Sequence, residues 1–221
     1  MSQFRSRLFA LSLTAALTLG TVPGALAAGR AAGSSSQVAA LSAIRIDNFG
    51  VVNDNYYRGA QPRGDDYRDL AALGVKTVLD LTREGRDDEQ ALVEAAGMKF
   101  HRIPLTTTDR PSDTAIAEFL SIVNDPANQP VYVHCQGGRH RTGTMTAVYR
   151  MTQDHWTAAQ AYDEMKQYRF EGFPGHPELK NFVMHFAPSA APTALSASAA
   201  KPATTAATTT PTPSVTASAG Q

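Results

Sequence analysis

A one-domain α/β fold, with a central, mostly parallel sheet flanked by helices, is what this sequence predicts. Two observations carry the expectation. Short apolar runs alternate with longer segments of helical period over residues 44–186, the pattern of strands joined by helices that pack on the sheet. The chain has 221 residues, 43% of them hydrophobic, which suits a single core.

Ile44–Val52 and Asn55–Arg58 have the composition of opening strands. Asp65–Leu73 is expected as a helix stopped by Gly74, and Val75–Leu81 as a buried strand. Asp87–Ala96 is the next helix, ended by Gly97, and Met98–Ile103 the next strand. Ser112–Asn124 is expected as a helix capped by Ser112, whose hydroxyl suits the free N–H groups of a first turn. Val131-Tyr132-Val133-His134 is a short apolar strand after Pro130, and helices over Thr142–Met151 and Thr157–Tyr168 complete the domain. There is no internal repeat.

The flanks differ in kind from this domain. Arg5 and Arg7 precede an apolar stretch from Leu8 to Leu19, followed by small residues up to Ala28. This predicts a secretory signal peptide over residues 1–27, cut after Ala27 or Ala28, and an exported protein, periplasmic or secreted. An uncleaved N-terminal anchor is the competing expectation, but the apolar stretch is short for a span, so no stable membrane span is expected after cleavage. Residues 28–43 are expected as a linker. Residues 187–221, almost entirely Ala, Thr, Pro and Ser with Lys201 the only charge, are expected as a disordered tail.

Lys plus Arg equals Asp plus Glu at 20 each, and removing the leader takes away Arg5 and Arg7 and no acid, leaving a net charge of −2. No global basic field draws the protein to nucleic acid; attraction for anions must be local. Cys135 is the single cysteine, which excludes an internal disulfide.

Local attraction is what the segment Val131–Gly143 offers. It runs as a buried strand, a glycine-bearing loop (Cys135-Gln136-Gly137-Gly138-Arg139-His140) and a helix start at Arg141-Thr142-Gly143. Backbone N–H groups of such a loop converge on one point, the helix adds its positive end, and Arg141 supplies a fork of donors. A tetrahedral oxyanion fits that cup, with Gln136, Gly137, Gly138, Arg139, His140 and Arg141 as its candidate binding residues, the side chains of Arg139 and His140 either extending the positive rim or pointing outward into solvent. The same field favours the thiolate form of Cys135, which makes it a nucleophile for attack on phosphorus without a metal or other cofactor.

The spacing His134-Cys135, five residues, Arg141-Thr142-Gly143 resembles the Cys-x5-Arg-Ser/Thr signature of the protein tyrosine phosphatase superfamily. The resemblance implies a single cysteine-phosphatase domain with Cys135 as nucleophile, Arg141 on the phosphate and the Thr142 hydroxyl steadying the leaving thiolate. It implies that His134 tunes the cysteine without being the base. Tyr57-Arg58-Gly59-Ala60-Gln61-Pro62 and Leu70–Leu81 extend it, looking like the opening of small bacterial and fungal dual-specificity phosphatases. The loop is similar to that of plant and fungal atypical dual-specificity phosphatases, which include enzymes acting on inositol pyrophosphates, but carries Gly137 where those loops often have a basic residue. The partners implied are a phosphorylated protein, a phosphoinositide or a small phosphorylated substrate.

The resemblance implies a general acid that is an Asp on the loop after the strand preceding the catalytic one. That points to Asp109 in Ile103–Pro111, with Asp113 as a rival and absence of any acid as a third case. Arg58, Arg83 and Glu84 sit at predicted strand ends, where salt bridges to Asp80 or its neighbours explain them as well as a cleft role does. His176, in the Gly/Pro-rich segment Gly172–Pro177, is expected to be structural, and His101, His155 and His185 form no metal constellation, so no zinc site is expected. Two functions remain in competition: a phosphatase, and a phosphate-binding relative without turnover. A rhodanese-like sulfur transferase fits less well, because its loop is shorter.

Overall fold

The structure is a computed structural model that describes residues 35–172 and 174–188. The chain divides after Phe186, and the expected signal peptide (1–27) and nearly all of the expected tail lie outside the described residues.

Residues 35–43 form helix α1, inside the segment expected as a linker. Its Ala40 and Leu41 pack with Ile44 against a core cluster containing Tyr57 and Tyr132, so this stretch belongs to the domain. The long strand expected over Ile44–Val52 is confined to β1 (Gly50–Asn53). The apolar residues Ile44, Ile46 and Phe49 give the stretch a strand-like composition, but Asn48 turns the chain at φ 56°. β2 (Tyr56–Ala60) follows, then α2 (Asp66–Ala72), β3 (Thr77–Thr82), α3 (Glu89–Ala95) and β4 (Lys99–Leu105). α4 (Asp113–Asn124) starts as expected, with the Ser112 hydroxyl accepting from the Ala115 N–H at 3.1 Å. β5 (Val131–Cys135) leads into α5 (His140–Gln153), α6 (Ala158–Gln167) and α7 (Pro177–His185). The sequence did not announce α7; its signals are Pro177 in the first turn and Leu179 and Val183 buried one turn apart.

The five strands lie in the order β1-β2-β5-β3-β4, with only the β1–β2 pair antiparallel. The expected mostly parallel sheet is therefore present. The central position of β5 matters most for the site, because its end is flanked by both neighbours: Cys135 pairs with Ala60 and His134 with Asp80. Three segments far apart in sequence meet at the carboxyl ends of the parallel strands, where ligand sites of open α/β sheets form.

Side chains alternate across β5. Val131, Val133 and Cys135 join one core cluster with α4 (Ile116, Phe119) and α5 (Met145, Val148), whereas Tyr132 joins another with α2 (Tyr67, Leu70). His134 therefore faces away from the Cys135 side of the sheet. A third cluster locks α6 and α7 onto α5 through Met151, Met165, Leu179 and Val183.

Phe119, fully buried with its ring 6.3 Å from that of Tyr56, anchors α4 to the sheet. Phe119→Ala is expected to lower unfolding free energy by about 3–4 kcal/mol in urea denaturation, with the midpoint shifted and the slope unchanged.

Candidate active site

Cys135 ends β5, and the loop to α5 has its carbonyls tied from outside. Gln136 O accepts from the Gln61 N–H at 3.3 Å, and Gly138 O accepts from Asn48 Nδ2 at 2.9 Å and from Arg58 Nη2 at 2.7 Å. Asn48 Nδ2 also reaches Gly137 O at 3.4 Å and Tyr168 O at 3.0 Å. In a trans peptide the C=O and the following N–H point in opposite directions. The N–H groups of Gly137, Gly138 and Arg139 are thus turned away from these ties, beside a cavity of about 330 Å³ that Cys135, Gly137, Arg139 and Arg141 help to line.

Gly138 makes the turn possible. Its φ is +64°, and a Cβ there would fall 2.7 Å from the Ala60 nitrogen and closer still to the Gly59 carbonyl. Arg58 is fully buried, its guanidinium 3.9 Å from the Tyr168 ring centroid as well as on Gly138 O. The sequence offered Arg58 as a cleft residue or a partner of Asp80; it is neither, and Asp80 pairs instead with Arg102 at 2.7 Å. Asn48, Arg58 and Tyr168 are buttresses whose roles depend on the fold bringing them behind the loop.

α5 opens without a side-chain cap from Arg139 and without an acidic residue in its first turn, so its free N–H groups and positive end remain for a ligand. The Arg141 side chain is 6% exposed and lies 2.6 Å from Glu84 Oε1 and 3.3 Å from Leu105 O. Partial burial pushes the Glu84 carboxyl up, but a backbone N–H and Arg141 outweigh it and hold it below the usual range. Thr142 is buried, and its Oγ1 has no hydrogen-bond partner among the described residues. His140 and Gln136 also line the cavity.

Asp109 is not brought there. It lines a neighbouring cavity of about 310 Å³ with Thr106 and Arg110, and its exposed carboxylate accepts from the Thr106 hydroxyl at 2.7 Å and the Thr108 hydroxyl at 3.1 Å. Those hydrogen bonds lower its pKa, the opposite of what a proton donor requires. Asp113 is exposed in the first turn of α4. The residues that do reach the Cys135 cavity from outside the loop are Thr107 and His176.

On the other face of β5, His134 Nε2 lies 3.1 Å from Glu89 Oε1. Burial pushes Glu89 up, but His134, the Tyr67 hydroxyl and the Gln61 amide hold it below the ordinary carboxyl range. Asp80, Glu89 and His134 offer ligand atoms within 4.8 Å of one another. Their charges are already matched by protein donors: Asp80 by Arg102 and Thr82, Glu89 by Tyr67 and Gln61. The cluster reads as a positioning network rather than a metal centre.

Two outcomes follow. Gly138→Ala is expected to abolish phosphate binding, measured as loss of calorimetric heat with inorganic phosphate, while circular dichroism stays native. Glu89→Gln is expected to cost about 2 kcal/mol of stability at pH 7, in urea melts. Because the folded pKa of Glu89 lies below its unfolded value, this difference is full above about pH 4.3 and shrinks as pH falls through the folded pKa.

Comparison with known proteins agrees with this geometry. Residues 44–180 match the family described as DSP-PTPase phosphatase fused to NAD+ kinase. Inositol diphosphatase DSP2 of Oryza sativa is 29% identical over 126 residues, 55% of this chain and 61% of that protein. Inositol diphosphatase SIW14 of Saccharomyces cerevisiae is 29% identical over 133 residues, 58% of this chain and 47% of its own length. The chain thus spans about half to three fifths of the curated relatives it matches. Among solved structures, the SIW14 catalytic core in complex with citrate superposes with a TM-score of 0.57 at 27% identity, covering 65% of this chain and 88% of that one. TpbA of P. aeruginosa in complex with pTyr superposes with a TM-score of 0.55 at 26% identity, covering 62% and 83%. The chain belongs to the DSP-PTPase phosphatase family.

Proposed function

We propose that this chain is a cysteine-dependent phosphatase that hydrolyses phosphomonoesters through a phosphocysteine intermediate. The observation that carries the proposal is the position of Cys135, a buried thiol that lines, with Arg141, the cavity beside the loop amides. The thiolate attacks phosphorus, the S–P bond forms as the P–O bond to the leaving group breaks, and that electron pair departs on the leaving oxygen. The amides and Arg141 hold the three equatorial oxygens as their charge shifts. Arg141 exchanges part of its contact with Glu84 for the phosphate. Water then attacks the phosphocysteine, and sulfur leaves as thiolate accepting a hydrogen bond from the otherwise unpaired Thr142 hydroxyl.

The substrates proposed are phosphotyrosine or phosphoserine/threonine in a protein, or a phosphoinositide or inositol phosphate. The names of the inositol diphosphatase relatives and the pTyr complex of TpbA support both classes. Gln136, Gly137, Gly138, Arg139 and His140 are the proposed phosphate-binding residues with Arg141. Export of the protein after cleavage behind Ala27 or Ala28 is part of the proposal, supported by the basic and apolar opening of the sequence. No helix among the described residues is long and apolar enough to cross a membrane.

Phosphate release from p-nitrophenyl phosphate in EDTA tests the reading. Turnover by the wild type that falls at least about 1,000-fold in Cys135→Ser is expected, and a comparable loss in Arg141→Ala. A folded, reduced wild type that binds phosphate without turnover would favour a phosphate-binding relative instead.

A further inference from the structure

A buried cation is costly unless an anion or a full set of hydrogen bonds matches it. Arg58 has neither. It is fully buried in β2, and its Nη2 donates to the Gly138 carbonyl at 2.7 Å, while Nε and Nη1 have no hydrogen-bond partner among the described residues. No carboxylate among those residues pairs with it: Glu164, an acid whose field favours the charge, is bound by Arg150 at 2.7 Å. Burial draws the Arg58 pKa down, but a guanidinium stays protonated at neutral pH. Arg141 and Arg169, by contrast, are paired with Glu84 and Asp47.

The position of this cation is specific. Arg58 stands in register with Val133, a member of the core cluster that contains Cys135. A Cβ added at Gly143, in the first turn of α5, would lie 3.9 Å from Arg58 Nη2. The guanidinium therefore sits behind the loop, beside the positive end of α5, and Cys135 is among the groups whose negative charge would favour it. The peptide between Gly138 and Arg139 links it to the cup. The carbonyl of that peptide accepts from Arg58 and its N–H points the opposite way, so the guanidinium polarises an amide of the loop as well as adding its own field. Holding the carbonyl does not by itself call for a charge, because the neutral Asn48 Nδ2 donates to the same oxygen at 2.9 Å.

We propose that Arg58 is a positioning residue that supplies the anion site with a further positive charge from behind the loop, favouring a dianionic phosphoryl group, as in a phosphomonoester, over a monoanion, as in a phosphodiester. The inference rests on the cysteine-phosphatase reading above and adds a basis for choosing between ester classes. Arg58 acts through the Gly138 peptide and through its field, without touching the substrate. Coulomb energy scales with the charge of the ligand. Removing one cation at a fixed position therefore costs a dianion twice the free energy that it costs a monoanion, which is the square of the factor in affinity. A hydrogen bond that only holds the loop in shape costs both anions the same factor.

Tungstate and perrhenate, tetrahedral oxyanions of nearly equal size that carry two charges and one, separate these cases when titrated calorimetrically into the full chain near neutral pH. Arg58→Gln, a neutral donor, is expected to lose on the order of 10-fold in affinity for perrhenate and on the order of 100-fold for tungstate. Arg58→Lys, which restores the charge, is expected to stay within about threefold of the wild type for both. Asn48→Ala, which removes the neutral tie to the same carbonyl, is expected to lose equal factors for the two anions. Equal factors in Arg58→Gln, a charge-selective loss in Asn48→Ala as well, or no recovery in Arg58→Lys overturns the proposal and leaves the phosphatase reading intact. Should circular dichroism show Arg58→Gln unfolded, Arg58→Met carries the same comparison, and failure of both to fold also overturns the proposal, because it assigns Arg58 to the anion site and not to the unliganded fold. A folded wild type that binds neither oxyanion overturns the proposal and the phosphatase reading together.

Discussion

The carbonyl groups of Gln136, Gly137 and Gly138 are held from outside, and the rest of the site depends on that restraint. A four-residue loop between a strand and a helix has many conformations open to it, and in most of them its amides do not converge. Here Gln61, Asn48 and Arg58 accept the cost of fixing it: each donates to a loop carbonyl, and each trans peptide then turns its own N–H the other way. The buttresses are themselves fixed by the fold. Gln61 follows the end of β2, Arg58 lies within β2 beside β5, and Asn48 sits in a left-handed turn before β1. On the function proposed above, an anion entering the cavity would meet donors already oriented, so little reorganisation would oppose binding or the shift of charge on the phosphoryl oxygens.

A second layer of polar order lies on the opposite face of the sheet. His134 reaches Glu89 at the start of α3, Glu89 is held by Tyr67 and Gln61, and Asp80 on the neighbouring strand is held by Arg102. All three titratable groups at its centre are fully buried, a burden that a core tolerates only when partners are in place. Gln61 links the two layers, since its backbone N–H ties the loop while its side-chain amide holds Glu89. The position of the residue before Cys135 is thereby coupled to that of the loop after it.

Much of this was legible in the sequence, for identifiable reasons. The strand-loop-helix around Cys135 declares itself because Cys135, the glycines, Arg141 and Thr142 lie together in sequence, and the alternation of elements suffices for a mostly parallel sheet. The Ser112 cap was readable because capping is local. What stayed hidden is non-local. Asn48 was submerged in an apolar stretch of strand-like composition. Arg58 offered only its charge, and its role exists because Gly138 O and Tyr168 lie next to it. His176 has no partner at ligand spacing in sequence, and it reaches the Cys135 cavity only because α7 packs onto α5. Asp109 was a reasonable choice by loop position alone, yet two neighbouring threonines satisfy its carboxylate outside that cavity.

The central claim is that this preorganised cup carries a phosphoryl group on sulfur. Intact-protein and peptide mass spectrometry of the chain, acid-quenched during turnover of an aryl phosphate, tests it most directly. The account predicts a single phosphoryl adduct located on Cys135, formed and consumed at the rate of turnover. Sustained turnover with no adduct, or an adduct on any other side chain, would contradict it.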